Sequence, residues 1–188
     1  MKKLTLAIMA LVGFGLNGAF AQDTNSDNHT VTITIPEVAL LDIELAASKN
    51  FAMAFLAPSE AGLGITAPVA NSTLWLNYSS IVTAAAPDNI RTVSVKASTV
   101  IPGVGIAVTA GTPVMATGAG TGGTAGAAVT LTATDQTVIT GIGSCYTGDG
   151  AGAGSNVSYA ISAAPAAYAS LVAGPTIVTV TYTLSDNP

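Results

Sequence analysis

From Thr30 onward, apolar and polar residues alternate in stretch after stretch, and β-branched side chains fill most of the apolar positions. In "TVTITIP", Val31, Ile33 and Ile35 fall on one face and Thr30, Thr32 and Thr34 on the other, until Pro36 breaks the ladder. Such a period belongs to a half-buried strand, because successive side chains of an extended chain point to opposite faces. A second extended piece follows through Val38, Leu40 and Ile43. "NFAMAFLAP" and "STLWLNYSS" predict further strands, the latter with Leu74, Leu76 and Tyr78 opposite Trp75 and Asn77. "RTVSVKAST" alternates through Val93 and Val95 and leaves Arg91 and Lys96 for solvent. "VGIAVTAGT" comes after a turn at Pro102-Gly103, and "AVTLTAT" and "QTVITGI" flank a turn at Asp135. "NVSYAIS" and the closing "PTIVTVTYTLSDNP" complete the set. The last puts Ile177, Thr179, Thr181 and Thr183 on one face and Val178, Val180, Tyr182 and Leu184 on the other.

Helical spacing shows only in "APAAYASLVAG" (164–174), which Gly174-Pro175 ends and which reads equally as a loop with one helical turn. No period of about 20–50 residues recurs, which disfavours a solenoid or propeller. Nine or ten short strands punctuated by Gly and Pro predict an all-β fold, an antiparallel immunoglobulin-like β-sandwich.

The first 21 residues break the pattern. Lys2 and Lys3 precede an apolar run from Leu4 to Leu16, and Ala19-Phe20-Ala21 supplies the small residues of a cleavage site before Gln22. This is the layout of a secretory signal peptide, too short for a transmembrane helix. The expectation is a leader over 1–21 and a single domain over 22–188, exported to the bacterial cell surface or extracellular space without inserting in a membrane. Of the five basic residues, only Lys49, Arg91 and Lys96 then remain against ten acids, a formal charge of −7. So few cations cannot neutralise a run of phosphates, which argues against nucleic acid and against anionic lipid. Thr, Ser, Asn and Gly supply the polar surface instead, and such surfaces suit close packing against other copies.

Candidate chemistry is sparse. His29 is the sole histidine and Cys145 the sole cysteine, so neither an imidazole metal site nor a Cys-His or Ser-His-Asp nucleophile has its parts unless the fold joins those two. A lone cysteine makes no internal disulfide; Cys145 is a small buried hydrophobe, a free thiol or an intermolecular bridge. Asp42 and Glu44, spaced i, i+2, are the one candidate carboxylate pair, with two acids on a strand edge as the plainer meaning. "ITGIGSCYTGDGAGAGSN" (139–156) lacks the Gly-Lys-Ser/Thr ending of a phosphate loop. It reads as a strand ending near Ile142, a glycine loop over Cys145, and a return strand starting near Asn156. Asp149 within it is a weak Ca²⁺ candidate, without the aspartate spacing of known calcium loops. The stretch "TGAGTGGTAGAA" (117–128) has no side chain able to hold it and predicts a mobile surface loop. No cofactor is implied, and the chain is expected not to be an enzyme. Trp75 and the tyrosines leave a monomeric carbohydrate- or surface-binding module as the alternative, with a glycan as its ligand.

The order of parts resembles the small exported bacterial subunits of the pilin or fimbrial type: a leader, an alternating "TVTITIP" near the mature N-terminus, a Gly/Thr-rich sandwich, and a last alternating strand "TIVTVTYTLSDN". The resemblance lies in layout, without a specific motif. It implies an immunoglobulin-like sandwich left incomplete, filled by an N-terminal strand from the next subunit. Residues 29–35 would be the donated segment, within 22–35, with Val31, Ile33 and Ile35 as its donor residues. Ile177, Val178, Val180, Tyr182 and Leu184 would border the acceptor edge, and the partners would be other copies or related surface subunits. Two features depart from that pattern: many such subunits carry a cysteine pair, and Pro36 follows closely on the donor stretch. The competing reading makes "TVTITIP" the first strand of its own domain.

Overall fold

The computed structural model describes residues 25–45 and 49–186, so the leader expected over 1–21 lies outside the described residues. The chain divides into a unit over 1–34 and a unit over 35–188. In the first, the described residues 25–34 carry no strand, and Val31 and Ile33 are 67% and 82% exposed. "TVTITIP" is therefore not a strand of this chain's own sheets: the first strand begins at Val38, past Pro36.

In the second unit the period-two segments become strands: β1 (Val38–Glu44), β2 (Asn71–Ile81), β3 (Arg91–Ala97), β4 (Val104–Ala110), β5 (Thr124–Ala125), β6 (Val129–Thr130), β7 (Gln136–Ile142), β8 (Cys145–Tyr146), β9 (Ser155–Ala163) and β10 (Val180–Asp186). A 3₁₀ turn, Pro165–Ser170, stands in the one segment, 164–174, whose spacing is helical. One sheet runs β1-β2-β9-β4-β6, with β8 also on β2; the other runs β10-β3-β7-β5. Every pairing is antiparallel. β2 carries β1 on one edge, and β9 then β8 along the other. Where β2 and β9 slip register, Asn156 Nδ2 donates to the Ser72 and Leu74 carbonyls at 2.8 and 3.1 Å and restores the lost bonds.

The alternation explains the packing. Leu74, Leu76 and Tyr78 of β2, Val108 of β4, and Val157 and Tyr159 of β9 face Val93 and Val95 of β3 and Val138, Ile139 and Ile142 of β7 in one core. All are buried, so the two sheets pack face to face as an antiparallel β-sandwich. The hydroxyls of Tyr159 (β9) and Tyr182 (β10) meet at 2.7 Å and tie the sheets together polar to polar.

Three expectations change. "NFAMAFLAP" makes no strand: Met53 packs on the core and the Phe51 ring meets Tyr159 edge-on at 5.0 Å, but the backbone makes only an isolated bridge from Leu56 to Thr66. The 117–128 stretch is anchored through its backbone, which composition cannot reveal. Tyr78 Oη donates to the Gly122 carbonyl at 2.5 Å, Gly143 N–H to Thr121, and Tyr146 N–H to Ala119, while Thr124 and Ala125 pair with β7. The 139–156 loop likewise contains a strand, β8, that lays Cys145 beside Ser80 of β2.

Candidate interaction rim

β1 and β10 are the edge strands of the two sheets on the same side of the sandwich, where they lie against each other. Each bonds a strand on one side only, leaving a row of backbone donors and acceptors along its outer edge. Pleating turns Val180, Tyr182 and Leu184 of β10, with Val178 just before it, toward the core, and Thr179, Thr181 and Thr183 outward. Leu41 and Ile43 of β1 point to the same core. On interior strands the equivalent positions, Val93 and Val95, have no exposure at all, whereas these six rim residues are only partly buried. Ile177, grouped with them at the sequence level, is instead 90% exposed beyond the start of β10. The stretch 175–185 contains no charged residue.

One end of this rim is built around a cation that sequence reasoning placed in solvent. Arg91 opens β3 and is only 2% exposed. Its Nε donates to Asp186 Oδ1 of β10 at 2.9 Å, and Nη1 to Ser80 Oγ and the Ile81 carbonyl of β2 at 3.1 Å each. Nη1 also donates to the Val38 carbonyl and Nη2 to Glu37 Oε1. One guanidinium thus joins the residues directly after Pro36, the end of β2 and the end of β10, using its fixed fork of donors. The signal was present in the sequence: 91, 93 and 95 share parity, and the two valines are core residues. Lys96, of opposite parity, is partly exposed and pairs with Asp135 at 3.0 Å.

The other candidates separate. Cys145 is buried and free, and burial pushes its thiol pKa up, which disfavours a thiolate nucleophile. Tyr146 beside it points outward, 52% exposed. Asp149 is exposed in its turn, and no group of three or more His, Cys, Asp or Glu side chains able to hold a metal ion is found among the described residues. Asp42 is exposed while Glu44 is buried, so the pair does not present two acids to solvent. Lys49 Nζ donates to Asp42 Oδ1 at 2.6 Å, and this bond, with the Ile43 N–H, holds the carboxyl below the usual range. No described helix is long and apolar enough to cross a membrane. Comparison with family models, with curated proteins and with solved structures finds no match to this chain.

Proposed function

We propose that this chain is a non-enzymatic structural protein of the bacterial cell surface or extracellular space, and that copies of it join by β-strand addition. One observation carries the reading. An uncharged segment with apolar residues at alternate positions, Val31, Ile33 and Ile35, belongs to no strand and is exposed, while the β1/β10 rim presents an apolar row at the same two-residue spacing and only partly covered. A strand added at the rim satisfies the free backbone edge and inserts alternate side chains between the sheets. The donor residues are Val31, Ile33 and Ile35; the acceptor edge is Val178, Val180, Tyr182 and Leu184, with Ile177 where the strand would end.

Magnitudes bound the idea. Burying three such side chains contributes about 5–9 kcal/mol. Association costs about 4–15 kcal/mol in lost freedom, so added backbone bonds and further contact must supply the margin. Ile33→Asp tests the reading, because an exposed position tolerates the change in the free subunit. Assembly should be lost with the melting temperature unchanged; assembly at the native level would refute strand addition through this segment.

The carbohydrate-binding alternative draws on Tyr168, which with Leu63, Ile65 and Pro165 lines an open depression of about 430 Å³. Its hydroxyl accepts the Ile65 N–H at 3.3 Å. Tyr146 lies at the other end of the sandwich, so these two rings form no common stacking platform.

A further inference from the structure

Resting on strand addition, we propose that the exposed apolar end of the sandwich, formed by the connections 98–103 and 171–177, docks against the opposite, Arg91-bearing end of a second copy. Val172 and Ile177 are 89% and 90% exposed there, Val100 is 52% exposed, and residues 98–103 and 171–179 contain no charge. Ile101, Pro102 and Val172 line a shallow depression of about 240 Å³ between the two connections. An uncovered apolar surface of this kind marks an interaction site more often than chance exposure.

Topology says what arrives at it. β10 starts at this end, near Val180, and finishes at the Arg91 end with Asp186. All the described strand pairs of the sandwich are antiparallel, so a strand added in that sense to β10, the acceptor edge, runs from the Arg91 end toward the start of β10. Its last residue, Ile35, therefore arrives beside the exposed apolar end. Only Pro36 then separates Ile35 from Glu37, and Glu37 and Val38 are fixed to Arg91 at the far end of the donor's own sandwich. Two residue steps span at most ~7 Å, and proline fixes one of the angles. The donor's Arg91 end thus abuts the acceptor's apolar end. The donor end has exposed apolar residues of its own, Ile90, Val114 and Tyr146. With so short a tether, the arm and the end surface act as two linked binding events, the second at high effective concentration.

The test uses the mature full-length chain with Val100→Glu and Val172→Glu together, both at exposed positions. Two quantities are read: affinity for a fluorescent synthetic peptide of residues 22–36, measured below the assembly concentration, and the protein concentration at which polymers form by light scattering. The expected result is unchanged peptide affinity with an assembly concentration raised at least tenfold. Unchanged affinity with unchanged assembly would overturn the end-on surface while leaving strand addition standing. A peptide that binds neither the variant nor the native chain would overturn strand addition and this proposal with it.

Discussion

At the scale of single residues, Arg91 has the largest structural consequence. It is a buried cation with two carboxylates and two backbone carbonyls around it, and truncation leaves those acceptors unpaired. Arg91→Ala should lower stability by about 3 kcal/mol, measured by urea denaturation. Glu37→Gln removes one partner that is itself half-exposed and should cost less than about 1 kcal/mol. Equal losses for the two would contradict the hub. Tyrosine burial gives a second residue-level outcome. Burial comes first among the causes that hold the hydroxyls of Tyr78, Tyr159 and Tyr182 above their ordinary range. The unfolded chain releases these protons near about pH 10 while the folded chain retains them, so the folded state binds more protons and stability falls as pH rises past that value. Urea midpoints should be level at neutral pH and drop in alkali, and Tyr182→Phe should make the drop shallower. An identical alkaline drop in that variant would exclude Tyr182 as a source. Cys145→Ser should leave the protein folded and monodisperse as a free subunit, since the thiol is in no disulfide; gross unfolding by circular dichroism would contradict this.

At the scale of elements, the alternating pattern located β2, β3, β4, β7, β9 and β10 because it records which side chains meet a core. It does not record whether a backbone finds a partner. "NFAMAFLAP" and "TVTITIP" both alternate, yet neither is a strand, one lying on the core and the other exposed. The rim was half legible for the same reason: the inward row of β10 could be read from spacing, but the free edge beside it is a matter of topology. The glycine loops were the least legible, because backbone groups fix them. Gly154 shows the constraint: at φ +69° it lies so close to the Leu76 carbonyl that a Cβ would collide with it, whereas Gly150 at φ +89° faces open space. Gly154→Ala should therefore cost well over 2 kcal/mol, and Gly150→Ala only the roughly 1 kcal/mol of left-handed backbone. Thermal melts compare the two directly; similar losses would mean that the loop yields where the structure has it packed.

For the whole molecule, the two sheets close a shared core without a disulfide, yet β1 and β10 each keep a free backbone edge, and the described residues of the alternating N-terminal segment form no strand. A chain with few charges and a free edge is exposed to edge-to-edge association unless that edge is used. The strand addition proposed between copies would use it. The most direct test is the size of a protein comprising residues 22–188, by light scattering and negative-stain microscopy, beside the same protein lacking residues 22–35. The expected result is polymers from the longer chain and a folded, melting-competent monomer from the shorter one. A longer chain that stays monomeric, with a shorter chain that unfolds, would make the segment part of its own subunit and contradict assembly by donated strand.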